Sequence, residues 1–571
     1  MVVKLYHRFI LRSAAPSSEF TGQNYKQIND IALSLLPLLS NGPKFTVLVP
    51  VYRPNLMHFQ EMVTSVLRQS YTNWQLVLVD DASQSEELNT LLSNYQLNDK
   101  VDVIQRDVNG HISIASNTGL EAATGDYVVL LDHDDLLHEH ALKTVAFSLS
   151  NNPGAKVLYS DEDKVLLDGS FGAVHHKPGW NPDLLFSHNY LCHLAIYKKT
   201  VLDEIGGFRE GVEGSQDFDL ALRATQVCEP DEIVHIPYVL YSWRMAPGST
   251  ALAAGEKSYT HQAGLQALKD RFAGSDIRAT DGVLENTYRL HWPIPAEAPL
   301  VSIIIPTRNG QALVEQCIRS IESVTTYPNY EIVLIDNQSD DPEALAFFTQ
   351  LAEKPNISVH QYPQAFNYSA INNFAVEQVK GEVIVLMNND IEVLSNDWLE
   401  EMVGHALRED IGCVGSKLYY PDGKLQHAGV ITGIGGVAGH AHKYFPKEHP
   451  GYFKRLMVAQ NYSAVTAACL AVRKEVFEQV GGLDEQNLTV AFNDVDLCLK
   501  VQQAGYRNLW TPYAEMIHHE SISRGHEDTP EKQARFSAEV VFMQQKWGRQ
   551  LMDDPCYSQW LTLDREDFSS K

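Results

Sequence analysis

The chain has 571 residues, with 45 lysines and arginines against 72 aspartates and glutamates, and a formal net charge of −27 at pH 7. That charge repels a phosphodiester backbone, so nucleic acid is excluded as the expected partner. A 44 % hydrophobic and 20 % charged composition, with no apolar run of about eighteen residues, describes a soluble protein without a membrane-spanning helix and too long for one core.

The start, Met1 to Arg12, is basic and mildly apolar and leads to no cleavage-like site. It reads as a short docked terminus, with contact at a membrane surface as the alternative. Asn24 to Leu39 has the apolar spacing of a helix, stopped by Asn41, Gly42 and Pro43, so residues 1–44 form a helical extension. Phe45-Thr-Val-Leu-Val-Pro50 reads as a buried strand, Leu56 to Gln69 as a helix and Gln75 to Val79 as a second strand. Alternating apolar strands and amphipathic helices imply parallel β-α-β units and an α/β fold.

The pattern then restarts. Pro50, Asp80 and Asp134 recur as Pro306, Asp336 and Asp390, each pair 256 positions apart. Chance does not give one offset three times, so the chain carries two copies of one scaffold. They are placed at 45–295 and 296–545, joined at Pro293 to Pro295, with a tail at 546–571. Gly206-Gly207 and Gly481-Gly482 correspond at 275, so the second copy holds about nineteen extra residues. These are assigned to the segment from Gly429 to Gly439, read as a flexible active-site loop and not as a dinucleotide fingerprint, because it does not follow the first strand of its unit. The seven cysteines are scattered and never in Cys-x-x-Cys spacing, which fits reduced thiols in a cytoplasm.

Open α/β sheets bind ligands beyond the carboxyl ends of their strands. Asp80, Asp132 and Asp134 fall at such ends in the first copy, Asp336 and Asp390 in the second. Clustered carboxylates repel unless a cation offsets them, and oxygen ligands suit Mg²⁺ or Mn²⁺. A second acidic cluster in each copy, Gln216-Asp217-Phe-Asp219 and Asn493-Asp494-Val-Asp496, leads into an amphipathic helix. Helix capping explains one aspartate per cluster but not two, so Asp217 and Asp494 are catalytic candidates.

These motifs are similar to those of family 2 glycosyltransferases. The resemblance rests on the strand-Pro-x-Tyr opening at Pro50 and Tyr52, Val79-Asp-Asp-Ala-Ser83, Asn117-Thr-Gly119, Gly125 to Asp135 and Gly214 to Leu220. In the second copy it rests on Phe366-Asn-Tyr-Ser369, Asn388-Asn-Asp390, Asn493 to Leu497 and His518-His-Glu-Ser521. It covers roughly 45–250 and 300–530, and the tail Asp554-Pro-Cys-Tyr557 resembles the end of tandem members that build bacterial surface polysaccharides. The resemblance implies two tandem GT-A domains, Rossmann-like with mostly parallel sheets, and inverting transfer from a nucleotide-diphosphate sugar. It implies a nucleotide-sugar site of Pro50, Tyr52, Asp80, Asp81, Asn117 and Asp132, matched by Pro306, Arg308, Asp336 and Asn388. Asp134, Asp390 and His518 would ligate Mn²⁺ or Mg²⁺, and Asp217 and Asp494 would be the bases. The implied acceptor is a lipid-linked oligosaccharide or polysaccharide of O-antigen or capsule type, met in the cytoplasm or at the cytoplasmic face of the membrane.

Two departures stand out. The second copy has Asn388 and Asn389 where relatives carry aspartate, and the first has Ser242 where histidine is expected, with Arg244 close by to offset diphosphate charge. Asp161, Asp163, Trp180 and Glu520 are expected to touch acceptor or sugar, with burial in the core as the alternative for Trp180. His175-His176 reads as a surface pair without a carboxylate at ligand spacing. Both copies are expected to work; the alternative has one working copy and one acceptor platform. A nucleotidyltransferase would need a glycine-rich basic loop after its first strand, and a decayed scaffold would have lost its acidic residues; neither pattern is present.

Overall fold

A computed structural model describes residues 22–37, 39, 41–245, 257–519 and 529–571. Its two large sheets follow the duplicated sequence. The first runs in the order Val101–Gln105, Trp74–Asp80, Phe45–Val51, Tyr127–Leu130, Ala195–Lys198, Val157–Val165, Ile233–Arg244, Leu136–Leu137. The second repeats it as Ile357–Gln361, Tyr330–Asp336, Val301–Thr307, Val383–Met387, Cys469–Arg473, Ile411–Tyr419, Arg507–His518, Ile391–Val393. In each sheet the first four strands are parallel, and antiparallel pairs appear only beyond them. The expected architecture of two tandem α/β sheets is therefore present. Each sheet buries a near-continuous apolar run on its central strand, as a sheet covered by helices on both faces requires.

The copies match in backbone detail. Gly125 and Gly381 precede the fourth strand of their sheets, and each amide donates to a strand hydroxyl, Thr46 Oγ1 or Ser302 Oγ, at 2.9 Å. A Cβ at either glycine would lie 2.5 Å from Thr46 N or 2.6 Å from Ser302 N. Left-handed residues recur too: Arg53 with Asn309, and Ala82 with Gln338. Asn117 and Asn373 each clamp the Gly-Gly turn, accepting from and donating to the backbone of Phe208 and Leu483.

The tail packs as core. Trp547, Leu551, Cys556, Tyr557, Leu561 and Phe568 join the apolar cluster of the second sheet, and Asp554 accepts from Thr432 N, Ser463 Oγ and Cys556 N. The same tail reaches the first half, where Gly179 N donates to Pro555 O and Trp560 Nε1 to Pro237 O. The halves also meet through Asp183, which pairs with Arg408 and Arg507, and through reciprocal amide bonds of Asn181 and Asn461.

The glycine segment departs from the expectation of a flexible loop. Val430–Thr432 and Ala438–His440 form a hairpin, with Val430, Ile431, Ile434 and Val437 in the second core. A Cβ on Gly433 would meet Leu551 O of the tail at 2.7 Å, so the glycine there permits close packing. The extra residues occupy a wider stretch: the connection from Tyr419 to Cys469 is about twenty residues longer than that from Val165 to Ala195. No helix among the described residues is long and apolar enough to cross a membrane.

Candidate active sites

At the carboxyl end of the second strand, Asp80 and Asp336 are buried and turn the chain. Ser83 N donates to Asp80 Oδ1 at 3.2 Å, and Ser339 N to Asp336 Oδ1 at 3.0 Å. The serine hydroxyls then accept from Arg53 N and Asn309 N, tying first-strand and second-strand loops together. Asp81 is also buried, accepting from Gly110 N and pairing with Arg106 at 2.8 Å.

The first sheet opens onto a cavity of about 740 Å³, lined by Pro50, Tyr52, Asp81, Asp132, Asp134, His193 and Asp217 among others. Asp132, Asp135 and His193 bring ligand atoms within 4.8 Å of one another. Asp135 accepts from Tyr241 Oη and Arg244 N, and burial, then the charge of Asp132, push its carboxyl well above the usual range. Two carboxylates and an imidazole nitrogen are a donor set that suits Mn²⁺ or Mg²⁺, and a cation would relieve that repulsion. Asp134 lines the cavity but lies outside this convergent trio, and its carbonyl accepts from Arg244 Nε.

His193 was not singled out by its sequence context. Its ring stacks on Tyr241 at 4.5 Å, and its Nε2 lies 3.8 Å from Asp132 Oδ2. Its backbone is fixed from below: His193 N donates to Glu162 Oε2, and the wholly buried Lys177 Nζ donates to Leu191 O and His193 O. Burial raises the Glu162 carboxyl, but Lys177, His175 and His193 together outweigh it and hold the group down at about 2.

The second cavity is smaller, about 280 Å³, and is lined by Tyr368, Asn388, Gln426, His440, Asp494 and His518 among others. His518 stands opposite Ile391, the counterpart of Asp135, whereas Ser242 stands opposite Leu136, the counterpart of Glu392, so His518 falls one position beyond Ser242, and neither Ser242 nor the following Trp243 offers an imidazole there. His518 Nε2 lies 3.2 Å from Asp390 Oδ1, a buried oxygen without a hydrogen-bond partner among the described residues. Its Nδ1 is held by Gln426 Oε1 at 2.7 Å, which leaves Nε2 facing the carboxylate and, at 3.2 Å, the Asn388 amide nitrogen. That orphaned oxygen beside an oriented imidazole again fits a divalent cation.

Asp217 and Asp494 each occupy the second position of a helix, Gln216–Gln226 and Asn493–Gln503, that starts at its cavity. Asp217 Oδ2 accepts from Asn189 Nδ2, and Asp494 Oδ2 from Ala467 N. Burial raises both carboxyls, with His193 opposing the shift at Asp217 and the Ala467 amide at Asp494. The other aspartate of each cluster does structural service. Asp219 is buried on Arg209 and Arg223, and Asp496 is buried on Trp547 Nε1 and Lys546.

Several residues named from the sequence lie elsewhere. Asn117 spends its amide on Phe208, and Pro306 and Arg308 do not line the second cavity; Arg308 is exposed, 3.8 Å from Asp340. Trp180 packs against the first core. Asp161 is fully buried, bonded to His176 and His235, and Asp163 faces a separate cavity of about 530 Å³ beside Ser242, with burial pushing it to about 6. Arg244, by contrast, stays beside the first site, its amide on Asp135 and its Nε on the Asp134 carbonyl, while its guanidinium also pairs with Glu61. Glu520 lies outside the described residues. The surface reading of His175-His176 is overturned: both are buried, with His176 Nδ1 2.9 Å from Asp161 and His175 Nδ1 3.5 Å from Glu162. Strand pairing across a hairpin brings those carboxylates to them, which linear spacing hides.

Residues 46–206 and 302–481 match the profile of glycosyl transferase family 2, and the chain belongs to that family. It is 49 % identical over 94 % of its length to the uncharacterized protein y4gI of Sinorhizobium fredii, covering 59 % of that protein. It is 34 % identical over 93 % of its length to the O-antigen biosynthesis protein RfbC of Myxococcus xanthus, covering 41 % of that protein. The chain thus spans about half the length of these relatives. Staphylococcus aureus TarS aligns over 41 % of this chain and 67 % of its own, at 18 % identity and a TM-score of 0.33.

Proposed function

We propose that the chain transfers sugars from nucleotide-diphosphate donors to a growing bacterial surface glycan, with inversion, at two sites making two linkages. The observation that carries this reading is the repeated pair in each half: a half-buried, proton-attracting aspartate on a helix start, sharing one cavity with a histidine that faces a carboxylate, His193 with Asp132 and His518 with Asp390. Asp217 and Asp494 would take the acceptor hydroxyl proton as it attacks the anomeric carbon. A burial-raised carboxyl is a stronger base once ionised, which suits that role.

Asp132, Asp135 and His193 would hold the cation of the first site, and Asp390 and His518 that of the second. A divalent cation bound there supplies positive charge to the leaving diphosphate. Buried Asp80 and Asp336, with the loops they shape, would receive the nucleoside. The named role of the Myxococcus relative supports an O-antigen or other surface-polysaccharide acceptor, and we place the reaction at the cytoplasmic face of the membrane.

The test is a panel of nucleotide sugars with Mn²⁺ and a lipid-linked glycan extract, comparing wild type with Asp217→Asn and Asp494→Asn. Each variant should lose one linkage and keep the other; activity untouched by both would overturn the assignment of the bases. A second reading, in which only the first copy turns over, is favoured by the smaller second cavity and by Asn388. It predicts that Asp494→Asn changes nothing.

A further inference from the structure

The cavity of the first copy is not built by the first copy alone. Phe453 and Lys454, which belong to the long connection of the second copy, form part of its lining. Every residue lining the second cavity, by contrast, lies between Tyr368 and His518.

The reaching segment is firmly held. Phe453 stacks on His175 with ring centroids 3.8 Å apart and planes 13° from parallel. Tyr452 Oη accepts from His176 N at 2.7 Å and donates to Val174 O at 3.2 Å. Lys454 Nζ donates to Glu285 O, and Arg455 is buried on Gln460 and Cys556 O. Phe453 and Lys454 both sit in the left-handed region, at φ 44° and 68°. Such conformations are strained for residues with a side chain, and persist where the surroundings enforce them. Beside them in the same cavity is His188, whose buried Nε2 has no hydrogen-bond partner among the described residues.

We infer that this segment is the acceptor-binding wall of the first site, supplied by the second half. The inference rests on the proposed transferase reading. What both copies share, the strand-end aspartates and the helix-start base, must serve what both reactions share, namely donor and proton transfer. A wall carried by residues without a counterpart in the first copy serves what differs, which is the acceptor. Its chemistry fits a glycan: an aromatic face for the apolar side of a pyranose ring, an orphaned imidazole nitrogen for a hydroxyl, and an ammonium for a carboxylate or phosphate on the sugar.

The test uses the full chain and does not require turnover. Saturation-transfer NMR with methyl glucoside, methyl mannoside and methyl glucuronoside would read the wall, and UDP and a nucleotide sugar in the same samples would read the donor side. The wild type should bind glycosides, the glucuronoside best. Phe453→Ala should lose at least tenfold in glycoside signal, Phe453→Tyr should retain it, and Lys454→Ala should erase the preference for the acidic sugar. UDP and nucleotide-sugar signals should stay within twofold throughout. Unchanged glycoside binding in Phe453→Ala would overturn the inference. So would a loss confined to the nucleotide sugar, which moves Phe453 to the donor side, or a joint loss of all ligands, which marks a folding defect. Failure of the wild type to bind UDP would instead count against the donor site of the proposed function, while the glycoside arm still decides the wall.

Discussion

At the residue scale, each half assigns different work to the two aspartates of one short motif. Asp217 and Asp494 face cavities, whereas Asp219 and Asp496 are locked in buried ion pairs. Losing a general base typically costs about 10²–10⁴ in rate, so Asp217→Asn should lower the first linkage by that factor, read as kcat on an isolated donor–acceptor pair. Because burial raises these carboxyls, and only the ionised form accepts a proton, activity should fall as pH drops through a value above the ordinary aspartate pKa of 3.8. A pH–rate profile checks the sign: an acid limb at or below the ordinary value would argue against Asp217 as base. Lys177 makes a second prediction. Removing it as Lys177→Met leaves Glu162 buried without its cation, which costs about 3–5 kcal/mol. The stabilisation Glu162 contributes is complete above its unfolded value of 4.5 and is lost as pH falls toward about 2. Urea unfolding at neutral pH should therefore show the deficit, and Glu162→Gln added to Lys177→Met should recover part of it.

At the scale of elements, the strand-end turns show how one backbone solution was used twice. Arg53 and Asn309, with Ala82 and Gln338, adopt the same left-handed conformations because the same serine and aspartate bonds over-determine each loop. Gly125 and Gly381 are needed for a different reason: the chain there passes against the first strand with no room for a Cβ. Gly125→Ala and Gly381→Ala should each destabilise by about 1–3 kcal/mol, the usual cost of overpacking. Thermal melts should show equal losses, since the contact is the same in both halves. The sequence made these elements legible. Strand runs, the Pro50/Pro306 repeat and the helix openings at Asp217 and Asp494 are local patterns, and local patterns survive reading along one dimension. The partners of His175, His176 and His193 were not legible, because pairing across a hairpin sets Glu162 and Asp161 against the first two and folding of the sheet brings Asp132 to the third, and neither shows in linear spacing.

At the scale of the whole molecule, the halves are joined by buried charge and by the tail. Asp183 lies at the junction, and although burial opposes ionisation, Arg408 and then Arg507 hold its carboxyl below the usual range. Arg408 also lies 3.9 Å over the Trp292 ring. Arg408→Ala should cost about 3 kcal/mol, the lower end for breaking a buried pair because Arg507 stays. Calorimetry should then resolve two transitions where the wild type shows one, as a weakened junction lets each half unfold by itself. A single unshifted transition would show that the tail alone couples them.

The sequence by itself determined the duplication, the α/β class, the family resemblance and the identity of the acidic residues, because each of these depends on residues near one another in the chain. The tertiary structure decided which of those residues meet. It gave the first cavity a histidine from Leu191-Cys192-His193 where its strand end offers Ser242, packed the glycine segment against the tail, and brought Phe453 of one half to His175 of the other. Convergence of this kind is fixed by strand register and by packing between the halves, and neither is a property of any short stretch of sequence.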